Sequence, residues 1–298
     1  MKLVTFTQRR RTRIGVMAED GETIVDLSVA APELPTDMTA LIVGGRKALA
    51  MARAALKTRK KDARLPVRKV RLRAPIAEPR RNILCVGKNY YDHAHEFDKS
   101  GFNATAGSDA VPDVPIIFTK APTTVIGPND PIPSRLDPTK SVDYEVELAV
   151  VIGKAGRGIS RRDAFRHVYG YTIVNDVTAR HLQSRHKQWF LGKSLDGFCP
   201  MGPWLVTADE IKDVRKLRVQ TRVNGELRQN ALVKDLIFNI PTLIKTLSMG
   251  MTLVPGDIIA TGTPAGVGIG FKPPRFLKRG DVVALSIDGL GVLENPVA

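Results

Sequence analysis

No stretch of the chain approaches the roughly 18 consecutive apolar residues that a bilayer-spanning helix requires, so no helical membrane span is expected. The first residues, MKLVTFTQRRRTRIGVM, lack an apolar segment followed by a small-residue cleavage site, and acids follow at Glu19, Asp20 and Glu22. That pattern argues against an export signal or a transit peptide and makes the cytoplasm the expected location. Cysteine is scarce: Cys85 and Cys199 are the 2 present, without CxxC or zinc-like spacing, in the apolar contexts ILCVG and GFCPMG. They read as buried thiols in a reducing compartment. Signature loops are missing too. Gly266, Gly268 and Gly270 in TGTPAGVGIG do not make GxGxxG, and neither GxxxxGK[ST] nor GxSxG occurs. Dinucleotide-binding, phosphate-loop and serine-hydrolase readings lose their basis.

Positive charge is in excess, with 45 Lys and Arg against 30 Asp and Glu, a formal +15. Residues 1–80 hold 18 Lys and Arg against 8 Asp and Glu, so +10 of the +15 lies there. The densest run is Arg53–Arg73, RAALKTRKKDARLPVRKVRLR. It has no interleaved aromatic residues for base stacking and no nucleic-acid motif. A solvated helix end and linker is therefore the favoured reading, and nucleic acid is not an expected partner. A weaker functional reading is attraction of an anionic substrate.

Patterning divides the chain near Ala74. Lys2–Thr7, Arg13–Met17 and Thr23–Leu27 read as short strands around an Asp20-Gly21 turn, and Met38–Leu56 has helical spacing. Residues 1–73 thus form a small α+β unit with a basic linker. From 74 to 298, short β-like runs dominate, with helical segments expected at Arg161–His167, Ala179–Gln188 and Ile240–Leu247. Asn224-Gly225 is a hairpin signal. Without β-helix-β alternation the expected class is α+β, mostly β, with a mixed barrel or sandwich.

Within that frame Ser141–Val151, SVDYEVELAVV, stands out. Asp143, Glu145 and Glu147 alternate with Val142, Tyr144, Val146 and Leu148, the period-2 pattern of a strand. The three acids would share a face. Such a face is either solvated or neutralised by a cation. A fourth acid, Asp176 in YTIVNDVTAR, follows a β-like run. Glu145, Glu147 and Asp176 would give three oxygen ligands, suited to Mg²⁺, Mn²⁺ or Ca²⁺, with positions left for a 2-oxo acid. In GKNYYDHAHE, His93 and Glu96 are three apart and would be neighbours on one helical turn, a pair able to activate water. The polar stretch after it, DKSGFNATAGSDAVPDVP, reads as a mobile lid. Lys193 in LGKSLDGF is either a desolvated cation facing a substrate oxyanion or a snorkelling surface lysine.

The ordered set GKNYYDHAHE, DYEVELAVVIGK, YGYTIVNDVTAR, LGKSLDGFCPMGPW, VNGELRQ and LVPGDIIATGTPAGVG resembles the fumarylacetoacetate hydrolase family over residues 80–297. The resemblance implies a mixed β-sandwich/β-roll catalytic domain at 74–298, a homodimer and a Mg²⁺ or Mn²⁺ site. It implies Glu145, Glu147 and Asp176 as metal ligands, His93 and Glu96 as a lid dyad, and Lys193 as an active-site lysine. It places Arg180, Gln183 and Thr263 in the substrate pocket. An acid usually follows the arginine of TAR in this family. His181 stands there instead, expected to support Arg180. The first expectation for activity is Mg²⁺-dependent hydrolysis of a C–C bond in a 2,4-dioxo acid of acylpyruvate or fumarylpyruvate type. The alternative is decarboxylation or isomerisation of an oxo-dicarboxylic acid at the same site.

Overall fold

A computed structural model describes residues 1–102 and 110–298. Among these residues the largest sheet runs, in order, through Arg64–Pro66, Thr23–Asp26, Arg11–Met17, Lys2–Gln8, Cys199–Thr207, Val168–Asn175, Val146–Ile152, Ile258–Ala260, Ile83–Gly87 and Ile116–Lys120. A second, four-stranded sheet orders Glu226–Leu232, Arg218–Val223, Val282–Ile287 and Gly291–Pro296. The two pack face to face, as Val146, Leu148 and Val150 from one meet Val219, Val283 and Leu285 from the other in one apolar cluster. The architecture is thus the expected mostly-β one. No helix among the described residues is long and apolar enough to cross a membrane.

Strand Val146–Ile152 is buried on both sides. Its even-numbered residues join the inter-sheet cluster, while Ala149 and Val151 join a second cluster with Leu3, Leu41, Ile42, Cys85 and Cys199. Both cysteines are indeed buried and free. Side chains are shielded from water on both faces, which explains the continuous apolar run LAVVI. Each such buried Val or Leu contributes on the order of 1.5–3 kcal/mol.

Several expectations shift in detail. The helix expected over Met38–Leu56 is two helices, Met38–Val43 and Gly45–Ala55, broken where Gly45 takes φ +57°. Only a short 3₁₀ turn, Ala164–His167, forms inside the helix expected at Arg161–His167. The basic run is not a bare linker. Arg64–Pro66 pairs with Thr23–Asp26, and Arg71–Arg73 pairs with Lys2–Gln8. Arg71 pairs with Asp130 at 2.5 Å and Arg53 with Asp209 at 2.6 Å. Strand Lys2–Gln8 in turn pairs with Cys199–Thr207, so the N-terminal strands extend the catalytic sheet.

Candidate active site

The acidic strand is not continuous. Val142–Asp143 pairs with Thr178–Ala179, and pairing resumes at Val146 against Val168–Asn175. Tyr144 and Glu145 bridge the gap, so the acidic face turns a corner. Here the Glu145 N–H donates to Asn175 Oδ1 at 2.9 Å, and the Asp176 N–H donates to the Glu145 carbonyl at 2.9 Å. The antiparallel ladder sets Val146 opposite Asn175. Glu145, Glu147 and Asp176 therefore meet at one end of adjacent strands, each offering an oxygen within 4.8 Å of the others. All three are buried, at 4%, 1% and 0% exposure, which removes the solvated-face alternative.

Burial of so many carboxylates needs compensation. Lys193 supplies part of it: Nζ lies 2.8 Å from Glu145 Oε2 and 2.8 Å from Asp176 Oδ2. It is a desolvated cation, not a snorkelling one. Burial works against its charge, but Asp176 and Glu145 outweigh that and raise its pKa. Lys120, unread from sequence, closes the other side. Its Nζ lies 2.7 Å from Asp176 Oδ1 and donates to the Val177 carbonyl at 3.0 Å and to the Lys193 carbonyl. Arg180 reaches Glu145 Oε1 at 2.7 Å through Nη1 and Asp143 Oδ2 at 2.9 Å through Nε. Burial would push the Glu145 carboxyl up, yet Lys193 and Arg180 hold it down at about 2. Glu147 is the exception. Its Oε2 accepts from the Gly262 N–H at 2.8 Å, and it has no ion-pair partner among the described residues. Burial, with Asp176 and Glu145 adding to it, pushes its carboxyl well above the usual range.

That unmatched carboxylate is the test of fit for a metal. Three buried oxygen donors, one of them without a cationic partner, suit a hard divalent ion such as Mg²⁺ or Mn²⁺.

Asp143 is no ligand. It accepts from Arg180 and from the N–H groups of Tyr144, Gly268 and Ile269, which ties Arg180 to the glycine-rich loop. That loop is the largest omission of the sequence reading. Gly262, Gly266 and Gly268 give their N–H groups to Glu147, Glu96 and Asp143. A signal existed, since Gly262 and Gly266 sit at φ +105° and +102°, where glycine is favoured. Gln229 was also missed. It donates to Thr263 Oγ1 at 2.8 Å and the Pro264 carbonyl, and accepts from Val146 N and Thr221.

His93 and Glu96 lie on helix Tyr91–Lys99, with His93 Nδ1 at 3.1 Å from Glu96 Oε2. Glu96 Oε1 accepts from the Gly266 N–H at 2.9 Å, which docks the helix on the loop. His93, Glu145, Glu147, Arg180, Gln183 and Lys193, with Thr263, line one cavity of about 20 Å³. Arg180 Nη2 is buried there without a hydrogen-bond partner among the described residues. The structure thus brings together all nine expected residues except Glu96 and Asp176 at the cavity wall itself, and those two are each one contact away, on His93 and Lys193. His181 does not support Arg180. Its exposed ring sits 5.1 Å from Phe102 and 6.2 Å from Phe276, while Asp143 and Gln183 hold the guanidinium. Residues 103–109 of the expected lid stretch lie outside the described residues.

The family model described as "Fumarylacetoacetate (FAA) hydrolase C-terminal" matches residues 82–298. The chain is 49% identical to the oxaloacetate tautomerase YisK of Bacillus subtilis over 310 aligned positions, covering 100% of both. Among solved structures it is similar to a fumarylacetoacetate hydrolase from the psychrophile Exiguobacterium antarcticum (TM-score 0.83, 45% identity, 100% and 99% of the two chains). It is also similar to a maleylpyruvate hydrolase from Sphingobium sp. SYK-6 in complex with manganese(II) and pyruvate (TM-score 0.77, 32% identity, 100% and 99%). With the family model matching residues 82–298 and relatives matching over the full length, the chain belongs to the fumarylacetoacetate hydrolase family.

Proposed function

We propose that the protein is a Mg²⁺- or Mn²⁺-dependent tautomerase that interconverts the keto and enol forms of a 2-oxo dicarboxylate of the oxaloacetate type. The observation that carries this reading is one cavity lined by His93, Glu145 and Glu147, with Glu96 and Asp176 each one contact behind them. The choice of isomerisation over C–C hydrolysis, the first expectation from sequence, is supported by the full-length likeness to an oxaloacetate tautomerase.

Tautomerisation moves one proton between C3 and the C2 oxygen and changes no other atom. A divalent ion held by Glu145, Glu147 and Asp176 would polarise the C2 oxygen. Arg180, through its free Nη2, and the Thr263 hydroxyl bind the C1 carboxylate. His93 carries the proton. Glu96 engages its Nδ1, which leaves Nε2 as the transferring atom and fixes the ring. The helix docked on Gly266 restricts the space for water beside the substrate, which disfavours hydrolysis of the same substrate. A cavity of about 20 Å³ holds on the order of one water, so substrate enters only when helix Tyr91–Lys99 lifts.

The test follows the ultraviolet absorbance of enol-oxaloacetate with Mg²⁺ supplied, beside pyruvate release from acetylpyruvate and fumarylpyruvate. Faster ketonisation is expected, abolished by chelator and lowered about 10²–10⁴-fold by His93→Gln. Efficient acylpyruvate cleavage without ketonisation would overturn the reading.

A further inference from the structure

One cation at the site is used by nothing described so far. Lys88 lines the same cavity and is only 3% exposed, yet its Nζ has no hydrogen-bond partner among the described residues. A buried ammonium without a partner is costly and needs a reason. The backbone adds a second cost. Lys88 sits at φ +52°, a left-handed conformation that a lysine rarely adopts.

That conformation is enforced from both sides. A Cβ on Gly87 would come within 2.2 Å of the Trp189 ring, so the chain presses against the indole there. Asn89 donates to the Thr261 carbonyl at 2.7 Å and the Phe238 carbonyl at 3.0 Å, and accepts from the Phe238 N–H at 2.7 Å. Lys88 is thus held at the end of strand Ile83–Gly87 and aimed inward. Its ammonium lies 5.5 Å from the centroid of Phe97 on the lid helix, a cation–π contact that forms when the helix is down. The acid whose charge reaches Lys88 is Asp98, which opposes the downward push of burial on its pKa. The metal-site carboxylate Glu145 already answers to Lys193 and Arg180, and Glu147 feels the charge of Lys193 without an ion pair among the described residues.

We propose that Lys88 binds the distal carboxylate of the substrate and so makes the site selective for dicarboxylates. The proposal rests on the reading of the substrate as a 2-oxo dicarboxylate. Arg180 and Thr263 take one end of such a molecule, and Lys88 is the remaining cation in the lining whose charged group has no hydrogen-bond partner among the described residues. Phe97, on the same helix as His93, lies 5.5 Å from the Lys88 ammonium, so the docked helix covers this second anion site.

The experiment compares malate with lactate, which share the 2-hydroxy acid end and differ in the distal carboxylate. Binding to the full-length protein with Mg²⁺ supplied is measured by calorimetry. The wild type should prefer malate. Lys88→Met should cut that preference at least tenfold by weakening malate alone, and Lys88→Arg should restore most of it. With oxaloacetate, Lys88→Met should raise KM more than it lowers kcat. An unchanged malate-to-lactate ratio in Lys88→Met would overturn the proposal. So would an equal loss for both ligands, or an Asp98→Asn protein that reproduces the Lys88→Met result, since Lys88 would then only hold the lid. Neither ligand is turned over, so the ratio is read independently of tautomerase activity. A wild type that fails to ketonise oxaloacetate but keeps a Lys88-dependent ratio retains the anion site and loses the proposed reaction.

Discussion

At the scale of single residues, the site is an exercise in unequal compensation. Glu145 and Asp176 have lysine and arginine partners, whereas Glu147 has one backbone N–H. Removing the charge of Glu147 should therefore help the metal-free protein and disable the loaded one. For Glu147→Gln we expect a Tm higher by roughly 2 °C without metal, as about 1 kcal/mol of buried-charge cost is relieved. The stabilisation that Mg²⁺ gives the wild type should vanish in the variant. Thermal melts with and without Mg²⁺ check both; an unchanged metal response would mean that Glu147 is not a ligand. This residue was legible in the sequence because alternation along VDYEVEL placed it two positions from Glu145. Lys120 was not, since a lone lysine closing IIFTK has the same appearance whether it points to water or into a carboxylate.

Among elements, helix Tyr91–Lys99 and the loop around Gly262–Gly270 act as a latch. A Cβ on Gly270 would fall 1.9 Å from Glu96 Oε1. The atom it meets is the end of a flexible side chain, so Glu96 can swing away at little cost to the fold. It cannot do so and keep both His93 and the Gly266 N–H. Gly270→Ala should therefore leave Tm within about 1 °C while lowering kcat roughly 10–100-fold, as misplacement of a reacting group does. Metal affinity should be unaffected. Steady-state kinetics beside melting curves decide it, and full activity would show that the Glu96 contact is dispensable. Sequence could place His93 and Glu96 on one turn through their spacing. It could not show the loop that receives them, because the donors are backbone N–H groups, which carry no side-chain signature. The break at Tyr144–Glu145 was hidden for a related reason: alternation continues through it unchanged.

Across the whole molecule, the sheets bury their tyrosines along with the site. Tyr169 and Tyr171 lie on strand Val168–Asn175, and burial pushes the Tyr171 phenol up to about 12 and that of Tyr169 further. Their folded pKa values lie above the unfolded value of about 10. The stability they contribute is thus complete below about pH 10 and is lost as pH rises through the folded values. Phenolate absorbance should show these tyrosines ionising together with unfolding above about pH 11; a smooth titration near pH 10 with the fold intact would contradict their burial. The strand that carries them ends at Asn175, directly before Asp176, with Cys199–Thr207 on one side and Val146–Ile152 on the other. The acids are thereby fixed by backbone pairing in the middle of a sheet, while the proposed Lys88 anion site and helix Tyr91–Lys99 come from one contiguous stretch, residues 88–99. An engineer wishing to change which distal group the site accepts would begin with that stretch. The ion-holding half could be left as it stands.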